Sequence, residues 1–395
     1  MNFSSQVSIV GGGIGGLATA LALAQRGIPV MLFEQNPAFG EVGAGIQLSP
    51  NACSVLAALG LLEPVQACAV MPEQLIIRRH NNLQPLACLP LQHAPDNLPY
   101  LHIHRADLIA VLAAAVTASP LIQIQQGKRV ERIEHLANGV ALFTAQGERF
   151  ASHWLVGADG IHSMVQPLIG RAEQPRFTGQ TAWRALVPKA DIPAALIPQP
   201  GTHLWLGPQA HVVMYYVRGS QLLNVVAVTE QADWHEESWT CAAPPEELLL
   251  PFLSWHPALQ DILRCIPAAQ CFRWGLFDRH PFAPWFNQRL LVLGDAAHPT
   301  LPFLAQGAAL ALEDAWEFAR LLGRYPQTAG ERFFVERFTR TTALQQRARR
   351  QAKIYHAHWL PLVASRNLLL SAGSRIAPQY LNRRLTQHFE WRAHE

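Results

Sequence analysis

The chain has 395 residues, half of them apolar and 15% charged, enough to build two or three domains with cores of their own. A net charge of +3 is too small to indicate nucleic acid or another strongly electrostatic partner. Six cysteines (Cys53, Cys68, Cys88, Cys241, Cys265 and Cys271) include no C-x-x-C pair, which favours buried thiols in a reducing compartment over a disulfide or metal framework.

Residues 1–6 lead straight into a strand, with no signal-peptide pattern. No apolar run reaches the about 18 residues that a membrane span needs. Leu290 to Leu312 comes nearest, and Asp295, His298, Pro299 and Pro302 interrupt it. The expectation is a soluble cytoplasmic protein without membrane or nucleic-acid partners.

In chain order, Val7 to Val10 reads as a short buried strand running into Gly11-Gly12-Gly13-Ile14-Gly15-Gly16. Gly11, Gly13 and Gly16 stand in the G-x-G-x-x-G places, with Gly15 beside them. They allow a tight turn, close approach of a pyrophosphate, and close packing of the following helix, Leu17 to Gln25. A second strand, Val30 to Phe33, ends at Glu34, about twenty residues on, where a carboxylate accepts hydrogen bonds from a ribose. A Gly-rich turn in an ordinary α/β unit leaves Glu34 unexplained, so dinucleotide binding is the reading adopted.

Residues 41–52 form a loop and a helix start, with Ser49 as cap and Pro50 in the first turn. Gly43 and Gly45 let backbone lie against a flat ring, or the segment is a plain connector. Leu75 to Arg79 and Leu86 to Leu91 read as strands, and Arg105 opens a helix through Thr117. An Arg at a helix start opposes the dipole, pointing to an anionic partner or to a surface side chain. Leu121 to Phe143 holds three short strands, with a turn at Asn138-Gly139.

Trp154 to Val156 delivers a second acidic residue between glycines, in Gly157-Ala158-Asp159-Gly160. Residues 178–230 are β-rich and aromatic, as an antiparallel layer is. Residues 231–270 read as polar loops with two short helices. A third apolar strand, Leu290 to Leu293, runs into Gly294-Asp295-Ala296-Ala297-His298-Pro299, and a helix begins near Gln306-Gly307. Such a loop aims backbone N–H groups and the positive helix end beyond the strand. Glu331 to His358 is a long Arg-rich helix, whose charges read as a solvated face.

Taken together, Gly11-x-Gly13-x-x-Gly16 with Glu34, Gly157 to Gly160, Gly294 to Pro299 with Gln306-Gly307 and Glu313-Asp314-Ala315, the loop 43–52, and the segments 179–184 and 211–215 resemble the single-component FAD-dependent aromatic hydroxylases, in their salicylate hydroxylase-like branch. The resemblance spans essentially the whole chain. It implies an α/β fold: a Rossmann-like FAD-binding domain (1–70, 101–177, 271–330) interleaved with a mainly antiparallel β substrate domain (71–100, 178–270), plus a C-terminal helical region (331–395). It implies FAD as cofactor, held by Gly11, Gly13, Gly15, Gly16, Glu34, Gly45, Arg105, Asp159, Gly160, Gly294, Asp295, Gln306 and Gly307. NADH or NADPH is then a transient co-substrate, in keeping with the lack of a second complete G-x-G-x-x-G fingerprint. A small electron-rich aromatic and O2 are the other partners, in a monomer or homodimer.

The reaction so implied is hydroxylation of a hydroxybenzoate-, salicylate- or heteroaromatic-type acid through a flavin C4a-hydroperoxide in a site closed to water. A phenol of pKa roughly 10 needs a base at neutral pH. His211 is the candidate, with Tyr215 four positions on and so on the same strand face; a strand-edge His and a core Tyr are the bland alternative. Gln47 is a candidate to orient the substrate, and the backbone around Pro299 to line the oxygen site. His298 is expected to be structural. Arg184 is placed either on a substrate carboxylate or in an ion pair within the sheet.

Three positions depart from the pattern. Gln166 stands where relatives carry an Arg, with Arg171 nearby; Ala305 replaces a frequent Gly; Phe303 replaces a residue that is polar in some relatives. The rival readings are a flavin-dependent halogenase, for which the W-x-W-x-I-P segment is missing and only Lys128, Lys189 and Lys353 are present, and a non-catalytic FAD- or NAD-binding redox regulator.

Overall fold

A computed structural model describes residues 6–40, 44–92, 96–170, 174–196, 198–232, 234 and 241–394. Two sheets organise it. The first has six strands, in the order Phe286–Asn287, Leu290–Val292, Trp154–Gly157, Val7–Val10, Val30–Glu34, Ile122–Gln126. All neighbours are parallel except the first two strands. Val7–Val10 and Trp154–Gly157 are buried along their whole length, as a parallel sheet covered on both faces requires.

Register explains why motifs far apart in sequence meet. Val10 lies opposite Gly157, and Gly157 opposite Val292. The three acidic and glycine-rich loops therefore leave the sheet side by side, at the carboxyl ends of adjacent parallel strands, where α/β sheets place their ligands.

The second sheet has eight strands, in the order Cys241–Ala242, Cys271–Asp278, Arg176–Pro188, Leu222–Glu230, Ala210–Val217, Thr202–Gly207, Gln74–Arg79, Pro85–Pro90. It is antiparallel save for Thr202–Gly207 beside Gln74–Arg79. Along Ala210–Val217, the residues Ala210, Val212, Met214 and Tyr216 pack with Trp183, Trp205, Phe252 and the helix Pro257–Arg264. The alternate residues His211, Val213 and Tyr215 face the first sheet. The sequence reading divided the chain at 271; the strand Cys271–Asp278 instead pairs with Arg176–Pro188, because its alternating aromatic and aliphatic residues fill this sheet's two faces.

A two-stranded ribbon, Gly45–Leu48 with Leu101–His104, and a meander of Val130–Leu136, Gly139–Thr144 and Arg149–Ser152 complete the β structure among the described residues. Ile14–Ala24 and Gly307–Arg324 pack against each other over the six-stranded sheet. No helix of the described residues is long and apolar enough to cross a membrane.

The Arg-rich helix Ala329–Tyr355 corrects one expectation. Arg337 is 1% exposed and forms ion pairs at 2.7 Å with both Glu313 and Asp314, themselves fully buried on Gly307–Arg324. Arg340 grips Glu313 with two further hydrogen bonds, of 2.8 and 2.7 Å. Arg349 reaches Asp278 at 2.6 Å. A charge run looks solvated in sequence, yet two adjacent buried carboxylates demand cations from whatever packs on them. We expect Arg337→Met to destabilise the fold by about 3–5 kcal/mol, since it strands two buried carboxylates. Arg350→Met, on the exposed face, should stay within about 0.5 kcal/mol. Urea unfolding of the two variants checks the contrast, and equal midpoints would refute the pairing.

Candidate active site

Between the strand ends of the first sheet and the inner face of the second lies a cavity of about 320 Å³. Its floor is the glycine loop, in which each glycine has a different reason to be there. Gly11 has φ +107°, and a Cβ on it would sit 2.4 Å from the Ala158 carbonyl oxygen. A Cβ on Gly16 would sit 1.9 Å from the Gly11 oxygen. These two serve packing and do not line the cavity. Gly13 and Gly15 do, and a Cβ on Gly13 meets nothing. Gly13 also caps Ile14–Ala24, so the positive helix end opens onto this space.

Glu34 is not among the residues that line the cavity. Its carboxylate accepts from the Gly12 and Asn36 backbone N–H groups, at 2.8 Å each. Asp159 is not in the lining, although its neighbours Ala158, Gly160 and Ile161 are. Its Oδ2 accepts from Met164 N at 2.8 Å, while Oδ1 is buried without a hydrogen-bond partner. Burial pushes the Asp159 carboxyl up, and Ser163 and the Met164 N–H oppose this.

Gly294, Asp295, Pro299 and Gly307 line the cavity from the third loop. The Asp295 side chain is exposed and lines the cavity. Desolvation raises its carboxyl, with His298 and Arg105 drawing it back. Arg105, at the head of Arg105–Ala118, also faces the cavity. His298 has the structural role expected of it: Nε2 meets Asp314 Oδ2 at 2.5 Å, and Asp314 also accepts from Gly294 N at 3.0 Å. Burial acts to raise the Asp314 carboxyl, but His298 and Arg337 outweigh it and hold the group at about 2.

Gln306 departs from the sequence reading. It is fully buried behind the lining, where its amide donates to Ser49 Oγ at 2.9 Å and accepts from Asn51 Nδ2 at 3.1 Å. As the residue preceding Gly307–Arg324 it turns toward the Ser49-Pro50-Asn51 helix start, and only its neighbours Ala305 and Gly307 face the cavity. Ala305 has φ +52°, which accounts for the glycine frequent at that place. Gln166 is buried in a short turn away from the cavity, and Arg171 and Gly43 lie outside the described residues.

The opposite wall is His211, Val213, Tyr215, Val226, Val228, Trp274 and Leu276, with Arg184 among them. The Arg184 guanidinium lies 4.4 Å from the Trp274 ring centre, within cation–π range. Gln47 accepts from the Tyr100 hydroxyl at 2.5 Å and also hydrogen-bonds Tyr215. Gly45 N donates to Asn224 Oδ1 at 2.7 Å, and a Cβ there would come within 2.7 Å of the Tyr215 ring. That glycine is needed for contact with the wall rather than for loop freedom.

Burial, aided by His356, holds the His211 imidazole well below its ordinary range, so it is neutral at physiological pH. Its Nδ1 lies 2.8 Å from His356 Nε2, and its ring packs on Phe303 and Tyr355. Burial pushes the Tyr215 hydroxyl up, so it stays protonated. Sequence reasoning missed His356, Tyr100 and Asn224. No local spacing marks them, since each reaches the site across 53 residues or more.

A family model described as an FAD binding domain matches residues 4–350. The chain belongs to this FAD-binding family. The 3-hydroxybenzoate 6-hydroxylase of Klebsiella oxytoca is 37% identical over 357 residues, covering 88% of each chain. The 3-amino-4-hydroxybenzoate 2-monooxygenase of Streptomyces cremeus is 36% identical, over 89% of this chain and 88% of that one. A salicylate hydroxylase substrate complex shares the fold with a TM-score of 0.80 at 25% identity, over 98% of each chain. This member of the family is an FAD-dependent monooxygenase, and the halogenase alternative is not favoured. The cradle fits FAD: an open glycine position at a helix head for the pyrophosphate, an orphaned Asp159 oxygen, and the Asp295 carboxylate facing inward.

Two measurements test this site. Gly13→Ala should fold normally and retain FAD about tenfold less tightly or worse, because its methyl group enters the pyrophosphate approach. Gly16→Ala should fail to fold or lose FAD altogether. FAD titration with melting curves separates them, and equal FAD affinity of Gly13→Ala and the parent would refute the cradle. The second concerns acid. Burial is the main cause that holds His102 at about 3, and His203 and His356 at about 4. Unfolded, each binds its proton near about 6.5. The unfolded chain therefore takes up protons that the folded chain refuses. Stability should fall as pH drops from about 6.5 to about 4, by up to about 1.4 kcal/mol per pH unit for each histidine. Urea midpoints across that window check it, and a flat profile contradicts it.

Proposed function

We propose that this chain hydroxylates a small electron-rich aromatic acid, of the hydroxybenzoate, salicylate or heteroaromatic kind, using NAD(P)H and O2. The observation that carries the reading is a buried His211 that lines one cavity together with Asp295 and Pro299. FAD held along the glycine cradle would supply the redox chemistry that links the nicotinamide to oxygen. The other steps belong to the chain's own residues. Gly13, Gly15 and the head of Ile14–Ala24 hold the pyrophosphate, and Glu34 and Asp295 accept from hydroxyls. The head of Gly307–Arg324 offers a positive dipole to negative charge developing nearby.

Val213, Val226, Val228, Trp274 and Leu276 keep water out. Arg184, fixed on Trp274, pairs with the substrate carboxylate. His211 takes the phenolic proton, and Tyr215 and Gln47 orient the ring by hydrogen bonds. The division of labour, cofactor over the six-stranded sheet and substrate under the eight-stranded one, is part of this proposal. Six free cysteines support a reducing, cytoplasmic setting. A monomer or homodimer fits the reading, and light scattering distinguishes the two.

Screening hydroxybenzoates, hydroxypyridines and anthranilate-like acids for stimulated NADH consumption tests the substrate class; no stimulation by any of them would sink it. With an active substrate, His211→Ala should keep FAD, and its yield of hydroxylated product per NADH should fall about a hundredfold, the usual size of a lost general base. Unchanged yield would remove His211 from the mechanism.

A further inference from the structure

Residues 387–394 follow the last helix, Pro378–Thr386, and run back to the ribbon that carries Gln47. They lie beyond residue 350, where the match to the family model stops. This strap is pinned along its length. Arg340, which grips Glu313, also donates to the His388 oxygen at 3.0 Å. The centre of the Trp391 ring lies 5.6 Å from the Arg337 guanidinium. Trp316 Nε1 donates to the His394 oxygen at 2.8 Å.

The strap touches the chain just after one strand of the ribbon and just before the other. Ala393 N donates to Ser54 Oγ at 2.8 Å, in the helix Pro50–Ala58 that follows Gly45–Leu48. Arg392 pairs with both carboxylate oxygens of Asp96. Phe389 packs on Tyr100 with ring centres 5.6 Å apart, and Tyr100 immediately precedes Leu101–His104. The Gln92 side chain holds the Tyr100 backbone as well, at 2.8 Å to its oxygen and 3.1 Å to its nitrogen.

Tyr100 decides which way an amide points. A glutamine side chain offers an oxygen at one end and N–H groups at the other, and rotation about its last bond exchanges them. Burial pushes the Tyr100 hydroxyl up, so it stays protonated and able to donate. It donates to Gln47 Oε1 at 2.5 Å and meets no other acceptor among the described residues. The N–H end of Gln47 is thereby left for Tyr215 and for the cavity, which Gln47 lines. An anionic oxygen in the cavity needs a donor, and a flipped amide would turn a lone pair toward it instead. We propose that the strap 387–394, through Phe389 on Tyr100, fixes the Gln47 amide with its N–H end toward the cavity and so sets the site to receive an oxyanion on the substrate. The proposal rests on the reading of Gln47 as the residue that orients the ring. Tyr100, Phe389 and Arg392 are positioning residues in it, because none of them lines the cavity.

The test uses the FAD-loaded full chain with 3-hydroxybenzoate, salicylate or 6-hydroxynicotinate, whichever stimulates NADH consumption most. Substrate affinity is read from the change in flavin absorbance, and coupling as hydroxylated product per NADH. Tyr100→Phe keeps the ring beneath Phe389 and removes only the hydroxyl, so it should melt like the parent and is the safeguard against misfolding. Tyr100→Phe and Phe389→Ala should each keep FAD and lose affinity and coupling by about tenfold. Phe389→Leu, which keeps the apolar contact, should restore most of both. In a Gln47→Leu background neither variant should add a further loss, whereas a merely structural strap would cost the same with or without Gln47. Parent-like behaviour of either Tyr100→Phe or Phe389→Ala beside an impaired Gln47→Leu overturns the strap and leaves the Gln47 reading standing. If Gln47→Leu itself matches the parent, that reading falls and the strap with it. The same holds if none of the three acids stimulates NADH consumption.

Discussion

Everything in the site hangs on one buried charge arrangement, Arg337 clasped between Glu313 and Asp314. Each charge taken from water costs several kcal/mol, about enough to erase a domain's stability if left unpaired. The pairing is completed by Arg340 on Glu313 and by His298 and Gly294 N on Asp314. Asn51 adds a 2.6 Å hydrogen bond to Glu313. One knot thus fastens the long Arg-rich helix, the third glycine loop and the Ser49 helix start to the same turn of Gly307–Arg324. Specific geometry rather than net stability is the gain that such a network offers. Here it fixes where Asp295 and Pro299 face the cavity.

The second constraint is the way the two sheets are stacked. Parallel strands bring three loops to one line, and an antiparallel wall closes over them. Period-two alternation sends His211, Val213 and Tyr215 inward while their neighbours build a separate core with the helices outside. The cavity is therefore a gap between two layers, joined beside it where Val228, Trp274 and Leu276 pack on Leu301 and Phe303. A preorganised space of this kind favours charge-sensitive chemistry once ligands fill it, since fixed dipoles then replace mobile water.

Much of this was legible in the sequence, and the reasons are local. A strand, a glycine turn and a helix are specified within about 15 residues, so the three motifs announce themselves. The His211 to Tyr215 spacing puts both side chains on one strand face whatever the surroundings. What could not be read was set by partners distant in sequence. Arg337 looks like any other cation of a charged helix until Glu313 and Asp314 are seen beneath it. Gln306 looks like a ligand until its turn toward Ser49 is known. The strand at 271–278 joins the second sheet only because Arg176–Pro188 offers it an edge. His356, 145 residues from His211, carries no signature at all.

Gly45 ties floor to roof. With no side chain, its backbone rests directly on Tyr215 and Asn224, so the ribbon carrying Gln47 and the wall carrying His211 keep a fixed spacing. Bulk added at that point would pry the layers apart. Adaptation to new ring shapes is thereby channelled to wall positions such as Val213 and Val226, where a change of size reshapes the chamber and leaves its hinge untouched.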